Sequence, residues 1–70
     1  MQILSAEYIY NYTLTANNIN FSKIYIYTDN LEGSSIVITK VVIVSPESRE
    51  KIIKALGVLA ENREVEIINE

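Results

Sequence analysis

The sequence predicts an α+β fold: a three-stranded antiparallel meander followed by one helix and a short fourth strand. The order is β-β-β-α-β, a mixed sheet with the helix on one face. Three observations predict it. Residues 3–28 hold two stretches of alternating side chains on either side of Asn17-Asn18. A β-branched run, Ser34-Ser-Ile-Val-Ile-Thr-Lys-Val-Val-Ile-Val44, comes next. Ser45-Pro46-Glu47 then opens the one stretch with clear helical periodicity.

The first strand is read from Ile3 to Thr15. Strict alternation puts Ala6, Tyr8, Tyr10, Tyr12 and Leu14 on one side and Glu7, Ile9, Asn11 and Thr13 on the other. Asn17-Asn18 fits a hairpin turn, because asparagine tolerates the left-handed backbone such turns require. The second strand, Ile19 to Thr28, sets Phe21, Lys23, Tyr25 and Tyr27 opposite Ser22, Ile24 and Ile26. Asp29-Asn-Leu-Glu-Gly33 is a polar turn in which Gly33 can take a positive φ. The third strand runs from about Ser35 to Val44. It is apolar on both faces apart from Thr39 and Lys40, which marks it as central. Val37, Thr39, Val41 and Ile43 share one side; Ile36, Ile38, Lys40, Val42 and Val44 share the other.

Ser45 fits a helix N-cap and Pro46 the first helical position. Glu47 and Glu50 suit the positive end of the helix dipole, and each has a lysine four residues on, Lys51 and Lys54. Ile52, Ile53, Leu56, Leu59 and Ala60 make the stripe that faces the sheet. Gly57 lies in line with Ile53 and Ala60, where it would permit close packing; Asn62 can end the helix. Glu64-Val-Glu-Ile-Ile68 is a short last strand. It makes a right-handed crossover if it joins the third strand in parallel.

The 70 residues form a single domain, residues 1–70. A chain this short buries only about 60% of the surface its unfolded form exposes, so its own core is marginal. Small domains add disulfides, a metal or a partner. With no cysteine and no histidine, disulfides, redox chemistry and thiolate or imidazole metal sites are excluded. Asp29 is the sole aspartate and no calcium-loop pattern is present, so no metal and no cofactor is expected. Self-association is the device left. No apolar run approaches the roughly 18 residues that span a membrane. The N-terminal residues lack the basic and apolar regions of a secretory signal, so the expected location is intracellular and cytoplasmic, with no membrane partner.

If one helix covers Ile9, Ile24, Ile26, Val37, Val41 and Ile43, the opposite face holds Tyr8, Tyr10, Tyr12, Tyr25, Tyr27, Ile38 and Val42, with Lys23 and Lys40 among them. That places all five tyrosines of the chain on one side. An apolar face of this size calls for a partner. The candidate interface is therefore Tyr8, Tyr10, Tyr12, Lys23, Tyr25, Tyr27 and Lys40. Self-association ranks first, since tyrosine buries a large ring while keeping a hydroxyl for the wet rim. A protein partner, approached as an accessory or regulatory subunit, ranks second. Nucleic-acid binding by base stacking on the Tyr/Lys face ranks third, because the net charge is −3 and no RNP-like pattern occurs. Catalysis ranks last. Without His or Cys it would rest on Ser, Tyr, Lys and carboxylates, and no such group stands in a recognisable motif.

Overall fold

The computed structural model describes residues 3–30, 36–61 and 63–69. The elements are α1 (Ile3–Ala16), β1 (Lys23–Asn30), β2 (Ile36–Val44), α2 (Arg49–Leu56), a 3-10 turn at Gly57–Ala60, and β3 (Glu64–Ile68). The expected α+β class holds in outline: two helices and an open three-stranded mixed sheet, in the order α-β-β-α-β. The tip of the expected turn (Leu31 to Gly33), the expected start of the third strand at Ser35, and Asn62 as helix stop lie outside the described residues.

The first element is the main correction. Residues 3–16 are helical, so the expected three-stranded meander is a helix followed by a β-hairpin. The alternating set conceals a four-residue repeat: Ala6, Tyr10 and Leu14 are buried, while Tyr8 and Tyr12 turn outward, their rings stacked at 6.3 Å. Asn17-Asn18 ends this helix rather than turning a hairpin. Asn18 takes φ 58, its N–H donates to the Thr15 carbonyl, and the Ile19 N–H reaches back to the Leu14 carbonyl at 2.9 Å. This is a Schellman motif, completed by the buried pair Leu14 and Ile19. Ile19 to Ser22, expected as strand, is the connection that swings the chain from helix to sheet.

β2 is the central strand, antiparallel to β1 and parallel to β3. A β-bulge between Tyr27 and Thr28 leaves Thr39 without a partner: Tyr27 faces Lys40, and Thr28 faces Ile38. The extra residue reverses the alternation beyond it. Val37 is therefore exposed and Ile38 packs against the core, the reverse of the expected faces. Parallel neighbours need a covered crossover, and residues 45–63 supply it through α2.

Both helices pack on the same face of the sheet. The core joins Tyr10 and Leu14 of α1 to Val41 and Ile43 of β2, Ile52 and Leu56 of α2, and Val65 of β3. Ile24 and Ile26 flank it from β1 and Ile67 from β3. The expected sheet-facing residues Ile24, Ile26, Val41, Ile43, Ile52, Ile53, Leu56, Leu59 and Ala60 are all in or against this cluster. Ile9 is 37% exposed on α1.

The helix cap also moves. Ser48, not Ser45, caps α2, its Oγ accepting from the Lys51 N–H. Gly57 ends α2 with φ 58 and ψ −125, a conformation close to glycine-only, and a Cβ there would meet nothing within 4 Å. Its role is to turn the backbone, not to let helix and sheet approach closely.

Ser45 is fully buried at a junction of three segments. Its N–H donates to the Ile68 carbonyl at 2.9 Å, and its Oγ donates to the Asn20 carbonyl and accepts from the Glu47 N–H. Asn69 Nδ2 donates to the carbonyls of Ser45 and Glu47. Glu47 completes the knot: one carboxylate oxygen accepts from the Asn20 N–H at 3.2 Å and the other from Lys51 Nζ at 3.1 Å.

The Asn20 N–H, with Lys51 beside it, holds the Glu47 carboxyl below the usual carboxylate range. A depressed folded-state pKa stabilises the fold fully above the unfolded carboxylate value and is lost as pH falls through the folded one. Glu47→Gln therefore lowers the melting temperature at neutral pH, and the gap from the parent closes as the buffer is taken to pH 3. Melting curves at several pH values, followed by circular dichroism, check this. A gap that stays constant with pH would remove Glu47 from the acid response.

Candidate interaction face

With both helices on one side, the other side of the sheet carries no element among the described residues. Strand register builds it in rows. Lys23 pairs with Val44 and Val44 with Ile68; Tyr25 with Val42 and Val42 with Glu66; Tyr27 with Lys40 and Lys40 with Glu64. Alternation sends these nine side chains away from the core. Tyr25, Tyr27 and Ile68 are 44%, 52% and 43% exposed; Val42, at 5%, is sheltered between Tyr25 and Glu66.

Lys40 sits within this face as the hub of its charges. Its Nζ lies 2.9 Å from Glu66 Oε1 and 3.7 Å from Glu64 Oε2, and 5.7 Å from the centre of the Tyr27 ring. The hydrogen bond and charge of Glu66 raise the Lys40 pKa, with smaller help from Glu64. Such exposed pairs stabilise the fold little. Their effect is to hold the Lys40 ammonium in place between two carboxylates and one ring.

The expected interface residues separate into three groups. Lys23, Tyr25, Tyr27 and Lys40 come together on the open sheet face. Tyr8 and Tyr12 stand on the outer side of α1, 69% and 64% exposed. Tyr10 is on neither surface. It is 1% exposed, its hydroxyl donates to the Leu59 carbonyl at 2.8 Å, and burial pushes its phenol pKa up against the opposing pull of Arg63. The expectation of five tyrosines on one face therefore fails, for the reason that α1 is a helix: residues 8 and 12 share its outer side and residue 10 points into the core.

Glu64 and Glu66 belong to the face and were not among the expected interface residues. The signal for them is their i, i+2 spacing, which in a strand parallel to β2 lines them up beside Lys40. Val42 and Ile38 were both expected here; the bulge keeps the first and removes the second.

Among the described residues, no group of three or more acidic side chains gathers in a way that could hold a metal ion. No helix among them is long and apolar enough to cross a membrane. Comparison with known proteins finds no matching family model, no matching curated protein and no matching solved structure, so the chemistry of this face and its surroundings is what bears on function.

Proposed function

We propose that this chain is a non-catalytic interaction protein that self-associates through its open sheet face and acts on a protein partner in an accessory or regulatory role. The observation that carries the self-association is the self-complementary layout of that face. Lys23 marks one corner, Glu64 marks the corner diagonally opposite, and apolar or aromatic Val42, Val44, Tyr25, Tyr27 and Ile68 lie between them. A second copy related by a two-fold axis can set each Lys23 over the partner's Glu64 while the apolar centre is buried twice. Closed two-fold pairing repeats one patch on both subunits and needs just this kind of surface. Crossed sheets are an established way for such faces to pack. A small core that is marginal alone gains from the added burial.

The same charges set nucleic acid behind self-association. Lys40 already serves two carboxylates, and Glu64 and Glu66 would meet a phosphate backbone with like charge. Catalysis is set aside on the chain's lack of histidine and cysteine.

Light scattering coupled to size exclusion tests the proposal. The expected mass is twice the 8.0 kDa of one chain. Tyr25→Lys combined with Tyr27→Ser is expected to halve it while leaving the circular dichroism spectrum unchanged, since both rings are exposed in the single chain. Serine is chosen at 27 because a lysine there would stand directly opposite Lys40. A parent protein of one-chain mass, or a variant that keeps the dimer, sinks the proposal.

A further inference from the structure

On the helical side of the molecule, α2 and the neighbouring β3 leave an open cleft of about 510 Å³. Arg49, Lys54 and Arg63 line it, with Glu50 as the one carboxylate; Ile53 and Ala60 contribute its apolar surface, and the buried Val65 lies at its floor. Half of the six cationic residues of an acidic chain are thus gathered around one depression. Both guanidinium groups are held from behind. Arg49 Nη1 donates to the Val65 carbonyl at 2.6 Å, and Arg63 Nη1 donates to the Leu59 carbonyl at 2.9 Å. A guanidinium has five N–H donors in a planar fork, so each arginine keeps donors for a carboxylate after making that anchor. Among the described residues, no carboxylate comes within ion-pair distance of Arg49, Lys54 or Arg63. Glu64 and Glu66 pair with Lys40, and Glu47 with Lys51.

We propose that this cleft binds an acidic peptide segment of a protein partner, its carboxylates on Arg49, Lys54 and Arg63 and an aliphatic side chain between them against Ile53 and Ala60. The proposal rests on the reading that the chain acts by binding a protein, and it names the chemistry of that partner. Charge complementarity selects the occupant: the cleft is positive on a negative molecule, which favours an anionic ligand and steers it to this side. The apolar surface selects a peptide over a free anion, because phosphate would leave Ile53 and Ala60 uncovered. The cleft opens on the layer of helices and the proposed self-contact uses the opposite face of the sheet. A dimer can therefore hold two such peptides.

The test titrates the full chain into a fluorescein-labelled peptide of alternating Glu and Leu, followed by anisotropy. Saturable binding is expected, weakening as salt is raised, and the matching Lys-Leu peptide is expected not to bind. Lys54→Glu should weaken binding by at least about tenfold. Lys54 is exposed, so that variant keeps the fold. Arg49→Glu with Arg63→Glu should abolish binding, with circular dichroism as the check on folding because both residues also hold backbone carbonyls. No binding of the acidic peptide, equal binding by Lys54→Glu, or displacement of the peptide by millimolar phosphate or by a short oligonucleotide would each overturn the proposal. Mass by light scattering is read on the same samples: a monomer that binds the peptide keeps this cleft and loses the sheet-face contact, and a dimer that ignores it does the reverse.

Discussion

Tyr10→Lys unfolds the chain, whereas Tyr8→Lys and Tyr12→Lys leave it folded. The three residues stand in one alternating series, yet α1 buries only the middle one. Removing a fully packed aromatic ring costs about 3–5 kcal/mol, and leaving an unpaired ammonium in the core adds to that. A domain of this length lies at the low end of the usual 5–15 kcal/mol of stability, so the sum exceeds what is available. At positions 8 and 12 the side chains are in solvent, and the expected change stays within about 0.5 kcal/mol. Tyr10→Phe separates ring from hydroxyl. It keeps the packing and loses the bond to the Leu59 carbonyl, for a cost of roughly 0.5–1.5 kcal/mol. Urea unfolding followed by circular dichroism measures all four variants. Equal effects at 8, 10 and 12 would mean that the segment does not pack as this helix.

Ser45→Ala lowers stability by roughly 2–4 kcal/mol, although it removes a single oxygen atom. Among the described residues, the hydroxyl is the only side-chain partner of both the Asn20 carbonyl and the Glu47 N–H, and a buried polar group left without a partner costs about 1–3 kcal/mol. The loss loosens the connection after α1, the start of the crossover and the end of β3 together, since all three meet at Ser45. Ser48→Ala gives the contrast. It removes an exposed helix cap and is expected to cost about 1 kcal/mol. Denaturant midpoints of the two variants decide between them. If Ser48→Ala proved the more damaging, the junction would not be holding the three segments.

These two residues also show how much of the fold can be read in the chain. β2, α2 and β3 are legible because their chemistry is local and consistent: a β-branched run, acids before lysines at i, i+4, then alternation at Glu64 to Ile68. α1 is not, because Tyr, Ile and Thr favour strands and the helix is imposed by packing against α2 and β1. The readable trace was the pair Leu14 and Ile19 around Asn18, a C-terminal stop whose asparagine serves a hairpin equally well. Ser45 misleads for a similar reason. Serine before proline and glutamate fits a cap, and only the arrival of Asn20 and Ile68 from distant sequence shows that it is a junction. The sheet face was legible strand by strand at Tyr25, Tyr27 and Lys40. Its acidic corner was not, because the parallel pairing that sets Glu64 and Glu66 beside Lys40 is non-local.

The crossover has a kinetic side. β1 and β2 are neighbours along the chain and can meet by closing a short loop, while β3 reaches β2 only after residues 45–63 have wound back over the sheet. Loop-closure entropy must be met before such distant contacts return anything, so the parallel edge forms late. Until it does, the hydrogen-bonding edge of β2 that β3 will occupy stands open beside one of the most apolar segments of the chain. In that interval the nascent domain is most exposed to strands from other molecules. The completed Ser45 junction, which ties Ile68 and Asn69 back to the start of the crossover, closes that window.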